Sequence, residues 1–360
     1  MLGKKLTAEM ILEALRDVED PEVHKSIVEM DMVRDIKISG GHISLQVLLT
    51  ITGCPLRTVI ETQVREALLA IDGVTDVSVH IGTMTDDERQ RFAAKIRGVD
   101  PSAPASPLLD PQARTAFISV ASGKGGVGKS TVTANLAVAL AHLGLRVGVM
   151  DADIYGFSLP NIFGVGDVKP AIVENVIMPV QTHGIKLVSM QFFVPGNRPV
   201  VWRGPMLGKM LRNFFQEVHW GELDVLLLDL PPGTGDVALD VHNLLPGSRE
   251  LIVTTPQTNA ADVAVRAGLM AQQTKHEILG VIENMSYFVC AHCNERAYLF
   301  GQGGGERVAQ ELGVSVLGEI PLGVMGVEQD GGLFAADSLQ GQAFARIAVG
   351  LAEQFAVAAV

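Results

Sequence analysis

Ser122-Gly123-Lys124-Gly125-Gly126-Val127-Gly128-Lys129-Ser130-Thr131 is the stretch on which the reading of this chain turns. Gly123, Gly128, Lys129 and Ser130 stand at the Walker A spacing. An apolar run at 117–121 leads into it and a helical pattern over 130–143 leads out, which is the strand–loop–helix setting a phosphate-binding loop needs. The glycines let successive backbone N–H groups turn toward a β-phosphate. Lys129 adds a point charge for the β- and γ-oxygens, and the Ser130 hydroxyl suits a Mg²⁺ ligand. Residues 123–131 are therefore the expected nucleotide-binding set.

Working outward, further short apolar runs at 147–150, 225–230, 251–255, 278–282 and 316–320 alternate with helical patterns. That alternation predicts an α/β domain built on a doubly wound, mostly parallel sheet. Asp151-Ala152-Asp153 closes the run at 147–150, and Asp229-Leu230-Pro231-Pro232-Gly233-Thr234-Gly235-Asp236 follows 225–228. Carboxylates at strand ends in register with a phosphate loop point to Mg²⁺, with Asp229 as the Walker B residue and Asp151 beside it. Gly233 is placed to offer its N–H to a γ-phosphate. The final helical pattern, through Phe344, Ile347, Leu351 and Phe355, has one apolar face. Arg346 is the lone base on its polar side, so a helix docked on the sheet is expected, not a membrane-surface helix.

Before residue 86 the order α-β-β-α-β predicts a small α+β domain over 1–85, with a hairpin turning at Gly40-Gly41. A linker at 86–113, rich in Pro, Ser and Ala over 99–107, separates it from the ATPase domain at 114–360. A length of 360 residues accommodates two domains. The net charge of -12 argues against binding to nucleic-acid phosphates. No apolar stretch has the length of a bilayer span, and Lys4-Lys5 has no apolar run behind it, so neither membrane anchorage nor a secretory signal is expected. Three cysteines cannot build a disulfide framework, which predicts a reducing, cytoplasmic setting.

Two features ask for a second copy of the chain. Lys124 is superfluous for cradling phosphates within its own loop, but suits a group reaching a neighbour's phosphates as an arginine finger does. Cys290-Ala291-His292-Cys293 offers two thiolates, whereas a closed zinc site or a cubane cluster takes four. The remaining cysteine, Cys54, belongs to the other domain, so the same pair from a two-fold mate is the simplest completion. Spacing alone leaves three readings of the pair open: an iron–sulfur site, a dimer-bridging zinc site or a redox dithiol. His292 reads as a solvated loop residue.

The two-lysine loop resembles that of the deviant Walker A ATPases, which include the nitrogenase iron protein, MinD and ParA. The resemblance implies ATP sandwiched in a face-to-face dimer, Asp153 positioning or activating the attacking water, and Asn284 and Pro321 bordering the adenine. Taken with Trp202-Arg203-Gly204-Pro205-Met206 and Asn284-Met285-Ser286 through Cys290 and Cys293, the motifs resemble the Mrp/ApbC iron–sulfur cluster carrier ATPases over roughly residues 110–355. What this implies is ATP and Mg²⁺ as cofactors and a [4Fe–4S] cluster held between the Cys290/Cys293 pairs of a homodimer. Lys124, Lys129 and Asp153 would be the catalytic set, with apo iron–sulfur proteins and cluster assembly factors as partners. Phe157 and Ala291 stand where that family usually has proline, a departure that touches loop geometry and no ligand. Asp20-Pro21-Glu22, Ser26-Ile27-Val28-Glu29 and Thr52-Gly53-Cys54-Pro55 resemble the small domain often fused to these carriers. There Cys54 is either a waystation for the cluster or a small buried residue. Two rival functions are a MinD/ParA-like spatial organiser, which has no use for the thiols, and an ATP-driven reductase like the nitrogenase iron protein.

Overall fold

A computed structural model describes residues 6–20, 25–49, 57–85, 88, 108, 114–154, 156–173, 176–194, 204–323 and 332–358. Cys54 with its Thr52-Gly53-Cys54-Pro55 loop, Pro21-Glu22, the linker residues 99–107, Tyr155 and Trp202-Arg203 lie outside the described residues. The chain forms two compact units, one of Met1–Pro104 with Pro170–Pro179 and Glu217–Gly221, the other of the remainder.

In the first unit, helix α1 (Ala8–Ala14) starts at Thr7, whose hydroxyl accepts the Met10 N–H at 3.3 Å. That bond satisfies one of the donors a helix start leaves open. A two-residue antiparallel pair, β1 (Glu19–Asp20) and β2 (Lys25–Ser26), follows. Strands β3 (Val33–Ser39) and β4 (His42–Leu49) form the antiparallel hairpin expected around Gly40-Gly41. Helix α2 (Arg57–Leu69) then returns the chain to β5 (Asp76–Thr83), which pairs parallel to β4. Period-two burial puts Ile43, Leu45 and Val47 of β4 inward, against Ile60, Val64 and Leu68 of α2 and Ile11 of α1.

The second unit is organised by strands buried on both faces, whose sequences are near-continuous Val, Ile and Leu. Strand β6 (Ala116–Ser122) feeds the phosphate loop and helix α3 (Lys129–His142). Then come β7 (Val147–Asp151) and a short helix, α4 (Leu159–Ile162). A two-residue pair, β8 (Ile172–Val173) with β9 (Val176–Ile177), falls within the first unit. Strands β10 (Val180–Thr182) and β11 (Ile185–Ser189) form a hairpin, followed by helix α5 (Gly204–Glu217), β12 (Val225–Asp229) and helix α6 (Asp236–Leu244). The remainder is β13 (Arg249–Thr254), helix α7 (Thr258–Gln273), β14 (Glu277–Asn284), the pair β15 (Phe288–Val289) and β16 (Arg296–Ala297), helix α8 (Gly304–Leu312), β17 (Val316–Ile320) and helix α9 (Leu339–Ala358).

The large sheet has the order β10-β11-β7-β12-β6-β13-β14-β17, parallel throughout except for β10. This is the doubly wound, mostly parallel sheet expected, with an antiparallel edge that the sequence pattern did not announce. Parallel pairing gathers the C-terminal ends of β6, β7, β12 and β14 along one margin, where ligands of such sheets bind. Helix α3 buries Val132, Leu136 and Leu140 against the sheet, and α9 lays Phe344, Ile347 and Leu351 into the same core. The docked reading of the last helix therefore holds. Among the described residues, no helix is long and apolar enough to cross a membrane.

Candidate functional site

The phosphate loop turns between the end of β6 and the start of α3. Gly126 and Gly128 take φ of +82° and +83°, the left-handed region that a side chain resists. Gly128 has a second reason to lack a side chain: a Cβ there would lie 2.2 Å from Asn284 Nδ2. That amide donates to the Val127 carbonyl at 2.8 Å, tying the end of β14 to the loop. Gly125 and Gly126 are exposed, Lys124 and Thr131 are half-buried, and Gly123 is packed against the Val263–Ala264 backbone of α7.

The two margin carboxylates face each other because the parallel register of β12 on β7 pairs Asp229 with Asp151. Asp229 is fully enclosed and fully partnered. Its Oδ2 meets Lys129 Nζ at 2.8 Å and accepts the Ser130 hydroxyl at 2.5 Å, and its Oδ1 accepts the Thr133 hydroxyl at 2.7 Å. A buried ion pair stands only when its remaining lone pairs are satisfied as these are. Asp151 is different. Its Oδ2 accepts the Ser189 hydroxyl at 2.9 Å and the Ser158 N–H at 3.3 Å, while its buried Oδ1 has no hydrogen-bond partner. Burial pushes its carboxyl up to about 7; the Asp229 charge adds to the rise, and the Ser189 bond and Lys129 oppose it. Asp153 is likewise held above the ordinary carboxylate range, first by burial, with Lys129 pulling the other way. Its Oδ1 accepts the Gly156 N–H at 3.1 Å.

Oxygen donors on Ser130, Asp229 and Asp151, with one buried carboxylate oxygen unsatisfied, are the donor set a hard divalent cation such as Mg²⁺ takes. The residues present therefore fit Mg²⁺ beside a nucleotide phosphate. The Gly233 N–H, assigned from the sequence to a γ-phosphate, donates to the Ser122 carbonyl at 2.8 Å and closes the turn after β12 onto the strand that precedes the loop. Pro321 is buried at the end of β17, where its carbonyl accepts Gln340 Nε2 at 3.4 Å.

Thr133 and Ser189, which hydrogen-bond the two carboxylates, are residues that the sequence reading missed. Thr133 stands one helical turn past Lys129 on the buried face of the helix, and a hydroxyl at that position is the signal that was there to find. Ser189 ends a strand whose pairing with β7 is not visible in the sequence.

Cys290 and Cys293 lie on the tip between β15 and β16. The Cys290 N–H donates to the Glu295 carbonyl at 3.0 Å, and the Cys290 carbonyl accepts the Asn294 N–H at 2.8 Å, closing a tight turn with Asn294 at φ +58°. The backbone N–H groups of Cys293 and His292 face the Cys290 sulfur and hold its thiol below the usual range. Cys290 is half-exposed, and Cys293 and His292 are exposed. The turn is braced by Arg296 over the Tyr287 ring at 4.2 Å and by Tyr298 edge-on to that ring. Among the described residues, no three His, Cys, Asp or Glu side chains are grouped to hold a metal ion. The two thiols are thus brought together without a third ligand.

Residues 114–352 match the family model described as NUBPL iron-transfer P-loop NTPase, and residues 8–81 match that described as iron-sulfur cluster assembly protein. The iron-sulfur cluster carrier protein of Bacillus subtilis is 50% identical over 308 residues, covering 85% of this chain and 85% of its own length. That of Mycobacterium leprae is 45% identical over 353 residues, covering 95% and 91%. Among solved structures, a nucleotide-binding protein of Archaeoglobus fulgidus in complex with ADP aligns with a TM-score of 0.51 at 41% identity, over 64% of this chain and 87% of its own. The cell division ATPase MinD of Pyrococcus furiosus aligns with a TM-score of 0.50 at 24% identity, over 67% and 99%, a likeness of fold.

Proposed function

The chain belongs to the NUBPL-type iron-transfer P-loop NTPases, and from that premise we propose that it is an ATP-dependent carrier whose cargo is a [4Fe–4S] cluster held between two copies of the chain. One observation carries the reading: two thiols sit together, accessible and short of ligands, on a hairpin rooted in the strand whose last residue touches the phosphate loop. Four thiolates close a cubane cluster, so two copies related by a two-fold axis supply the set.

Within each copy, Lys129 neutralises the β/γ-phosphate charge, and the loop N–H groups orient the phosphates. Ser130, Asp229 and Asp151 would hold Mg²⁺, which neutralises charge on the β- and γ-oxygens during phosphoryl transfer. When phosphate takes Lys129, Asp229 loses its internal counter-charge, so the lysine exchanges one anion for another. Asp153 orients the attacking water, and Lys124 reaches the partner copy's phosphates. Release of the Gly233 N–H from the Ser122 carbonyl is what would let it serve a γ-phosphate. Asn284 and Pro321 border the adenine.

The organisation that goes with this reading is an assembly-type domain at 1–85, a linker at 86–113 and the ATPase at 114–360, working in the cytoplasm on apo iron–sulfur acceptors and assembly factors. Neither nucleic acid nor membrane is a partner. The test is reconstitution with iron and sulfide. Cys290→Ser and Cys293→Ser are each expected to abolish bound cluster while leaving nucleotide binding intact, and unchanged iron content in either variant would refute the shared site. Wild-type protein should pass its cluster to an apo-acceptor, whereas electron donation without transfer would make it a reductase.

A further inference from the structure

The loop that bears the two cysteines leaves β14 after Asn284 and rejoins the fold where α8 begins at Gly304. One buried carboxylate holds both of its roots. Glu283 Oε1 accepts the Ser286 hydroxyl at 2.5 Å, and Glu283 Oε2 accepts the Gly305 N–H at 2.5 Å. Glu283 and Ser286 are both buried, so either donor would be orphaned away from water if the carboxylate were lost. Between them Met285 takes φ +55°, a left-handed turn that the clasp holds in place. At the far root a Cβ on Gly305 would lie 2.8 Å from Glu283 Cβ, so a glycine is what lets the carboxylate reach that N–H. The near root is stitched to the end of β17 as well, by Ser286 N–H to the Ile320 carbonyl at 2.9 Å and Leu322 N–H to the Tyr287 carbonyl at 2.7 Å.

Asn284 is the next residue of the same strand and points to the opposite face. There its amide donates to the Val127 carbonyl, lying over Gly128 so closely that a Cβ there would come within 2.2 Å of it. The end of β14 therefore carries the phosphate loop on one face and the clasp on the other. From this we infer that Glu283 is a positioning residue that transmits nucleotide state to the thiols. When nucleotide shifts the backbone at Val127 and Gly128, Asn284 moves the strand end, and the two bonds of Glu283 carry that movement into both roots of the loop bearing Cys290 and Cys293. The functional meaning of this link rests on the cluster-carrier reading, but the link itself is measurable without a cluster.

The measurement is the alkylation rate of Cys290 and Cys293 by iodoacetamide in reduced, metal-free, full-length protein, followed by peptide mass. It is run without nucleotide, with Mg-ADP and with a Mg-bound non-hydrolysable ATP analogue. In the wild type, nucleotide should change the rate about fivefold or more, the lower end of ordinary coupling between sites. Glu283→Gln keeps the shape but sets an amide N–H against one of the two donors. It should bind nucleotide with wild-type affinity while its alkylation rate no longer responds. Ser286→Ala removes one donor only and should give an intermediate response. A wild type that does not respond, or a Glu283→Gln variant that binds nucleotide and responds like the wild type, overturns the inference. Should Glu283→Gln fail to fold, a full response in Ser286→Ala overturns it. Failure of the carrier reading shows elsewhere, as iron retained by Cys290→Ser, and leaves the alkylation result standing.

Discussion

The phosphate site and the cysteine hairpin sit on the same unit and follow opposite rules. Around Lys129 and Asp229 the side chains are buried, and the carboxylate has a protein partner for each oxygen. At the hairpin Cys293 is exposed, Cys290 is half-exposed, and two thiols stand where a cluster asks for four. A pair that satisfies itself, as Lys129 and Asp229 do, can be built, folded and read within one chain. A site that is half-built has to be finished by something else, and its chemistry is conditional on meeting it.

Lys124 offers the sharpest way to break that contrast, because it would make the phosphate site depend on a second copy too. Lys124→Ala should bind ADP normally and lose ATP turnover by ~10³–10⁵-fold, the scale of an arginine finger supplied in trans. Wild-type turnover in that variant would leave the phosphate site self-sufficient. Lys129→Ala tests the contrast from inside. It should lose nucleotide binding and also strand Asp229 as an unpaired buried charge, a loss of about 3–5 kcal/mol in denaturant unfolding.

Asp151 gives the buried site a pH signature of its own. Its carboxyl is raised from 3.8 to about 7 in the folded protein, so folding takes up a proton. This contribution is fully present below about pH 4, declines as pH rises through about 7 and is gone above it. Without Mg²⁺ or nucleotide, the wild-type melting temperature should fall across that window relative to Asp151→Asn, which has no proton to lose. Parallel profiles would show that Asp151 does not titrate there. The smallest effect belongs to the hairpin. Cys290→Ser and Cys293→Ser should each shift the unfolding free energy of metal-free protein by no more than about 0.5 kcal/mol, as exposed substitutions do. A larger loss would mean that the thiols hold the fold together.

The same contrast explains what could be read in advance. Strands β6, β7, β12, β13 and β14 were legible because burial on both faces demands apolar runs, and the phosphate loop was legible because its spacing is dictated by a phosphate. The α-β-β-α-β order of the first unit came from period-two and helical patterns that local sequence carries. Strands β10 and β11 were not legible: three and five residues of mixed character become strands only through pairing at a sheet edge. The Glu283 clasp was invisible for a different reason. Ser286 is only three residues on, but Gly305 is brought to Glu283 by the return of a long loop, and nothing in the order of residues announces which carboxylate a distant N–H will meet. The bond from the Gly233 N–H to the Ser122 carbonyl was not legible either, because it joins two turns that only the pairing of β12 with β6 brings together.

The pairing of Asp229 opposite Asp151 makes the sheet a ruler. Side chains alternate faces along a strand, so sliding β12 by one residue against β7 would turn its terminal carboxylate to the far side of the sheet, away from Lys129 and Ser130. Length changes within β12 would thus take the Asp229 carboxylate away from Lys129 and Ser130, while the same changes in the turn before Val225 leave the carboxylates aligned. A single residue inserted after Leu226 should cost the protein its magnesium-dependent turnover, even where the sheet absorbs the insertion as a bulge and the chain still folds.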